Sequence, residues 1–499
     1  MNVISVQYIN YVFLRVECDP GVANELSDFF CFYVPGYKFM PAYKNKLWDG
    51  KIRLYDVRTK ELPAGLFKYL KEFAETPGRD YSIEIIHNNY YGMPALHQDV
   101  DTSFMKDITY TSKGTQIFPK DYQIDAVQYA LTNKTGMLIS PTASGKSLII
   151  YTLVRWYLEN HNKKIIIIVP TTSLVEQMYK DFGDYSEYDE NYNNEENCHR
   201  IYSGKEKNFK QRVVITTWQS IYKLNTPWFE PYGMVIGDEA HNFKAKSLTS
   251  ILTKCKEAEY RFGTTGTLDG TQTHKLVLEG YFGPAYYVTT TKTLMDSGDL
   301  SLLEIQIMLL KYSDEYCKLI SKVKYQEEID FIVSHDPRNK FIANLALDQD
   351  GNTLVLFNLV EKHGKPLYDL IKEKAHIRRK IFFVSGATDV DVRENVRTIT
   401  ETEKNAIIVA SLGTFSTGIN IKNLHNIIFA SPSKSQIKVL QSIGRGLRKS
   451  DDGRTTKLFD IADDLHWKHN KNYTLTHAAD RIKIYTKEKF NYKIYEIKL

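Results

Sequence analysis

The stretch "LISPTASGKSLII", residues 138–150, sets an aliphatic run against a loop of small residues and then a second aliphatic run. It reads as a buried strand that turns through Pro141, Thr142, Ala143, Ser144 and Gly145 into a helix opening near Lys146. At such a helix start, free backbone N–H groups and the macrodipole attract phosphate. Lys146 adds a point charge, and the Ser147 hydroxyl suits a magnesium ion. This is the pattern of a P-loop. The usual loop opens on glycine where this chain has Ser140, so the fragment alone does not exclude an ordinary strand-to-helix turn.

A second cluster bears on the choice. "VIGDEAHNF", residues 235–243, is an apolar run ending in two adjacent carboxylates, about 90 residues after the phosphate loop. Side by side at the end of a buried strand, Asp238 and Glu239 repel each other near low dielectric and require compensation. A magnesium ion on Asp238 supplies it, leaving Glu239 to orient and activate an attacking water. Taken alone, the pair also fits an exposed turn or a helix cap. Beside a P-loop the catalytic reading is the stronger.

At 499 residues the chain is long enough for about three domains. Residues 1–98 read as a small α+β module with a basic, aromatic centre. Over 99–300, "GMLIS", "KIIIIVP", "RVVITTW" and "MVIGDEA" alternate with helical stretches, as in a parallel sheet with crossover helices. Over 301–499, "TLVLFN", "KIFFVSG", "NAIIVAS" and "NIIFASP" repeat that rhythm and a C-terminal helical segment follows. The expected fold class is α/β, two tandem parallel-sheet domains behind a small α+β domain. Lys plus Arg (65) barely exceeds Asp plus Glu (60), so the net charge of +5 does not by itself argue for a polyanion partner. Cys18, Cys31, Cys198, Cys255 and Cys317 show no metal-ligand spacing, which reads as reduced thiols in a cytoplasmic protein. With no signal-like N-terminus and no apolar run of about 18 residues, the sequence gives no reason to expect a membrane.

Across residues 118–449 the motif set resembles the DEAD/DEAH-box type of superfamily 2 helicases. "FPKDYQIDAV" is similar to the adenine-reading segment, with Gln123 as base reader. "IVPTTSLVEQ" and "ITTWQS" resemble strand-tracking motifs in which Thr171, Thr172, Thr217 and Gln219 meet phosphates. "FGTTGT" resembles the Ser-Ala-Thr coupling motif, with Thr265 and Gly266 in place of its serine and alanine and Thr267 as its threonine. "SLGTFSTGINI" and "QSIGRGLRK" resemble the two motifs of a second motor domain. In the latter, Gln441, Arg445 and Arg448 share one helical face. The resemblance implies two RecA-like domains that close on ATP and magnesium. The two arginines then act on the γ-phosphate as arginine fingers, and Gly418 permits close backbone approach.

Along nearly the whole chain, "LWDGKIRLYD" at 47–56, "KDYQIDAV", "VASLGTFSTGINIKNLH" and "DRIKIYTKEKFNY" are similar to the UvsW-type recombination DNA helicases of phages. That likeness implies ATP-driven unwinding and remodelling of forks, Holliday junctions and R-loops by a monomer in the cytoplasm, the host's if phage-encoded. The partner is branched DNA, with an RNA–DNA hybrid as a further possibility. Within the first module Lys38, Lys44, Lys46, Lys51 and Arg53 interleave with Tyr37, Phe39, Tyr43 and Trp48. Cations and rings in that mixture suit nucleic acid, with Lys44, Lys46, Trp48, Lys51 and Arg53 as contacts, but they equally suit a small domain's core and its solvated rim. His466 and His469 lack a third metal ligand at sensible spacing. An RNA helicase, a restriction or nuclease motor and a non-catalytic annealing protein are the rival readings.

Overall fold

The computed structural model describes residues 2–86, 99–202, 206–243, 246–268, 271–376, 379–414, 423–431, 435, 439, 443–444, 447 and 453–499. The chain divides into two compact units, Met1–Ser140 with Gly145–Val288, and Pro141–Ser144 with Thr289–Leu499.

The first unit holds two sheets. In the N-terminal module a mixed sheet runs in the order Glu61–Pro63, Phe13–Glu17, Asn2–Tyr8, Tyr81–Ile86. Its strands alternate buried and exposed residues, as a sheet with one wet face must. A separate antiparallel pair, Cys31–Tyr33 with Lys51–Arg53, carries the basic segment between its strands. The motor sheet that follows has seven strands in the order Cys198–Ile201, Val213–Thr217, Lys164–Val169, Tyr232–Asp238, Tyr260–Thr265, Thr135–Ile139, Ala285–Tyr287. All its pairings are parallel. Its five central strands are buried almost throughout because helices cover both faces, and Lys164–Val169 is a continuous aliphatic run, as the expected crossover pattern requires.

The two parts of this unit are joined by more than a linker. Leu276 and Val277, on the motor helix Gln272–Phe282, are buried in the same cluster as Leu66, Phe67 and Leu70 of the N-terminal module. Gly65 lies so near this helix that a Cβ there would fall 1.9 Å from the Glu279 carbonyl oxygen. The Tyr69 hydroxyl donates to the Glu279 carboxylate, whose other oxygen accepts from the Ala285 amide at 3.1 Å.

In the second unit seven parallel strands run Ile381–Val384, Ile407–Ser411, Thr353–Phe357, Asn426–Phe429, Thr456–Asp464, Leu303–Lys311, Tyr492–Lys498. The repeated rhythm of aliphatic runs is therefore a repeated sheet. Strand Thr456–Asp464 buries three carboxylates, each with its own cation. Asp463 meets Arg338 at 2.7 Å, Asp460 meets Arg481 at 2.8 Å and Asp464 meets Lys311 at 2.5 Å. Such pairs add little net stability, but loss of either partner strands a buried charge. The C-terminal stretch expected to be helical is helix only over Tyr473–Lys487. Its end pairs as an edge strand with Leu303–Lys311, where "YKIYEIK" is rich in the rings and β-branched residues that favour strands.

Gly65→Ala should lower the thermal stability of the intact protein by roughly 1–3 kcal/mol, since the new methyl meets backbone and not a movable side chain. An unchanged melting curve would show that the module does not rest on the Gln272–Phe282 helix.

Candidate active site and nucleic-acid surface

In an open parallel sheet, ligands collect outside the carboxyl ends of the strands. Strand Thr135–Ile139 ends in the phosphate loop, Tyr232–Asp238 ends in the acidic cluster, and Tyr260–Thr265, hydrogen-bonded between them, ends in the coupling motif. The Ser140 amide donates to the Thr265 carbonyl at 2.8 Å, so the loop starts as a continuation of the sheet. Ser140 does not adopt a positive φ, which explains why the usual glycine is dispensable there. The left-handed positions are Ala143 (φ 68°) and Gly145 (φ 80°). Ser144 closes the turn by donating to the Pro141 carbonyl at 2.6 Å, and the helix Lys146–Asn160 follows. Gln123 is buried against this turn. Its Oε1 accepts from the Lys120 amide at 2.9 Å, and a Cβ on Gly145 would fall 2.3 Å from its Nε2. The residue expected to read a base is thus fixed beside the phosphate loop.

Asp238 is 8% exposed, and its Oδ1 accepts from the Thr264 hydroxyl at 2.7 Å. Burial pushes its carboxyl above the ordinary range; the adjacent Glu239 charge pushes the same way, and Lys146 and Thr264 work against them. Glu239 lies 3.9 Å from the Lys146 ammonium and 3.4 Å from His241 Nδ1, at φ 50°. A left-handed glutamate is strained, and strain of this kind collects at functional sites. His241 Nδ1 is also 3.0 Å from the Thr265 hydroxyl, which in turn donates to the Thr267 carbonyl at 3.0 Å. With that hydroxyl proton committed, His241 must carry a proton on Nδ1, which ties its ring to the coupling motif while the Glu239 carboxylate stands against the same nitrogen. Ser147 Oγ sits 2.7 Å from the Tyr185 hydroxyl, at the end of helix Thr172–Tyr185.

The sequence did not single out Thr264, His241 or Tyr185 for these contacts. Thr264 was legible as one of two adjacent hydroxyls ending a strand of alternating faces. Tyr185 had no such signal, because its meeting with Ser147 depends on how two helices pack.

The expected strand-tracking residues lie on the neighbouring strand ends. Thr171 caps helix Thr172–Tyr185, accepting from the Leu174 amide at 3.3 Å, while Thr172 is exposed. Thr217 is 4% exposed and shares a hydrogen bond of 2.9 Å with Ser220, while Gln219 is exposed. Of these four, Thr172 and Gln219 are open to a ligand and the other two shape the turns. Gly418, Gln441, Arg445 and Arg448 lie outside the described residues.

The structure also sorts the basic segment. Arg53 pairs with Asp49 at 2.5 Å, and the Lys51 ammonium sits over the Tyr33 ring, 5.0 Å from its centroid. Trp48 is half-buried, its indole N–H donating to the Lys51 carbonyl at 2.8 Å. Lys44 and Lys46 are exposed. His466 bonds to Asp464 at 2.5 Å, and no group of three or more metal-ligating side chains occurs among the described residues. No helix among them is long and apolar enough to cross a membrane.

Three families match along the chain: DNA helicase UvsW, N-terminal, over residues 3–86, the res subunit of type III restriction enzymes over 116–270, and the helicase conserved C-terminal domain over 337–450. Two parallel motor sheets, with a phosphate loop and acidic cluster at the strand ends of the first, define a superfamily 2 helicase. Over 513 aligned residues, 99% of this chain and 100% of the relative, it is 37% identical to the ATP-dependent DNA helicase uvsW of Enterobacteria phage T4, and it belongs to the UvsW family of DNA helicases. The crystal structure of T4 UvsW matches with a TM-score of 0.51 and 35% identity, covering 99% of each chain. The DNA 3'-5' translocase XPB2 of Sulfurisphaera tokodaii is 23% identical over 76% of this chain and 91% of its own. A fragment of a putative HsdR subunit of a type I restriction enzyme from Vibrio vulnificus shares the fold, with a TM-score of 0.57 at 16% identity over 76% of this chain and 69% of that one.

Asp238→Asn should raise the melting temperature of the nucleotide-free, metal-free protein at pH 7 by about 1 kcal/mol in stability terms, because an isosteric amide removes a buried charge. The sign follows from linkage. A carboxyl whose folded pKa is raised disfavours folding once ionised, and that penalty disappears as pH falls through the raised pKa. A lower melting temperature would show that Lys146 already neutralises the site.

Proposed function

We propose that this protein is an ATP-dependent DNA helicase that unwinds and remodels branched DNA: forks, Holliday junctions and R-loops. The observation that carries the reading is the cluster of Asp238 bonded to Thr264, and of Glu239 against His241 bonded to Thr265, beside the phosphate loop, in a chain that matches a DNA helicase over its whole length.

In this reading Pro141, Thr142, Ala143, Ser144 and Gly145 wrap the phosphates, Lys146 neutralises them and Gln123 reads the adenine. Ser147 and Asp238 would hold a magnesium ion, which on binding supplies the positive charge that the buried carboxylate lacks. Glu239 orients the attacking water and accepts its proton. His241 joins Glu239 to the coupling motif, so a change at the γ-phosphate is felt at Thr265 and Thr267. Gln441, Arg445 and Arg448 complete the site from the second motor domain, with Gly418 giving close approach. Thr172 and Gln219, on turns shaped by Thr171 and Thr217, grip a DNA strand through its phosphates beside the nucleotide. Lys44, Lys46 and Trp48 form the surface that meets a second arm, on a hairpin held by Lys51 and Arg53. The protein works as a monomer in the cytoplasm, with RNA–DNA hybrids among its substrates.

Deleting the N-terminal module would not isolate its role, because it would expose Leu276 and Val277. Substitutions are cleaner. Lys146→Ala should abolish ATP turnover, whereas Glu239→Gln should keep nucleotide binding and lose hydrolysis; near-normal phosphate release from either would refute its assignment. Arg448→Ala should lower turnover by about 10³ with little loss of nucleotide affinity. Charge reversal at Lys44 and Lys46 should weaken junction binding and flatten its dependence on salt. Comparing wild-type unwinding of forks, four-way junctions, R-loops and plain duplexes tests the substrate class. Equal rates on all four would remove branched DNA from the assignment.

A further inference from the structure

The segment between strands Cys31–Tyr33 and Lys51–Arg53 is a built structure. A short 3-10 turn, Tyr37–Phe39, leads into the helical turn Pro41–Lys44. The Tyr37 ring stacks on Tyr33 at 4.6 Å and meets Tyr43 edge-on at 4.8 Å. Gly50, at φ 80°, lets the backbone pass that ring; a Cβ there would fall 2.3 Å from Tyr37 Cδ2. The Val34 amide donates to the Gly50 carbonyl at 2.9 Å, and Trp48 is tied to the Lys51 carbonyl at 2.8 Å. Asp49 accepts from the Lys51 amide at 3.0 Å and from Arg53 at 2.5 Å.

So braced, the segment exposes what a folded chain ordinarily hides. Phe39 is 80% exposed and Leu47 81%. Leu47 follows Lys46, whose φ of 56° turns the chain outward. Leu47 also lines a concavity of about 620 Å³ with Lys38, Lys44, Lys46, Tyr43, Trp48 and Asp49, the last already engaged by Arg53, and Phe39 follows Lys38 in the chain. Three ammonium groups, two rings and one aliphatic side chain around a single hollow match one nucleotide, with phosphates on the cations and a base against the rings. Lysine is depleted at protein interfaces, which weighs against a protein occupant. The hollow suits one base and not a tracked strand, and an intact duplex keeps its bases stacked. An unpaired base is free where strands part.

We propose that this hollow captures one unpaired base at the point where DNA strands separate, with Phe39 and Leu47 standing against the last base pair. The inference rests on the branched-DNA reading and adds to it a single-nucleotide site. Trp48 serves as a wall of the hollow as well as its brace, in place of a freely stacking ring.

The test uses the full-length protein on forks carrying 5-iododeoxyuridine at the first unpaired position, in the middle of a single-stranded arm, or in the duplex. Irradiation should cross-link the branch-labelled fork to peptides containing Tyr43 or Trp48, in clear excess over the other two. Cross-links elsewhere, or equal yields from arm and branch, would overturn the site. Leu47→Asp should weaken fork binding at least about fivefold more than it weakens binding of a single-stranded oligonucleotide. Circular dichroism and thermal melting of the variant confirm its fold, and Leu47→Ser serves if it does not fold. A fork preference surviving in both variants would likewise refute the hollow. Failure of the wild-type protein to prefer forks over duplex would instead refute the branched-DNA reading itself.

Discussion

A carboxylate at the end of a buried strand is costly to ionise, and the nucleotide site is organised around that cost. Asp238 is carried to the carboxyl end of Tyr232–Asp238 by a strand buried along its whole length. The neighbouring strand answers with the Thr264 hydroxyl, the phosphate loop answers with Lys146, and the remaining deficit is a standing attraction for a cation. Because Asp238 and Thr264 lie on paired strands and Lys146 opens the helix that follows the next strand, the site's geometry follows from the sheet's order. The strained Glu239 and the proton on His241 Nδ1 then extend the same arrangement to Thr265.

Sheet order also sorts the candidate residues. From Tyr232–Asp238 through Tyr260–Thr265 to Thr135–Ile139, strand ends carry the acidic cluster, the Thr265 hydroxyl and the glycine-bearing loop before Lys146. From Lys164–Val169 to Val213–Thr217 they carry the hydroxyls and amide that suit phosphates of a strand. Lys164–Val169 pairs directly with Tyr232–Asp238, so the two sets share a boundary with no intervening element.

The sequence made the architecture legible because doubly covered parallel strands must be continuous aliphatic runs, and there are few other ways to bury "KIIIIVP" or "NAIIVAS". It also pointed to Lys146, Asp238 and Glu239, since phosphate loops and acidic strand ends are local patterns. Contacts between distant helices, such as Ser147 with Tyr185, leave no periodic trace. The acid-rich strand "TKLFDIADD" was similarly opaque, because its burial makes sense only once Arg338, Arg481 and Lys311 are in place. The final segment misled for a simpler reason: Tyr492 and Tyr495 keep a helical spacing, while the strand is fixed by pairing with the distant Leu303–Lys311, which leaves no local trace. In the basic segment, composition could not separate Lys51 and Arg53, which serve their own hairpin, from Lys44 and Lys46, which face water.

That final strand has a consequence for how copies of the protein coexist. Tyr492–Lys498 closes one margin of its sheet, and among the described residues it pairs only with Leu303–Lys311. Ile494, at 52% exposure, and the nearby rings would make such a margin a template for another chain. Lys493, Glu496 and Lys498 stand along the same short ribbon. Charged side chains on an edge strand blunt its use as such a template, here without a covering helix on that margin among the described residues.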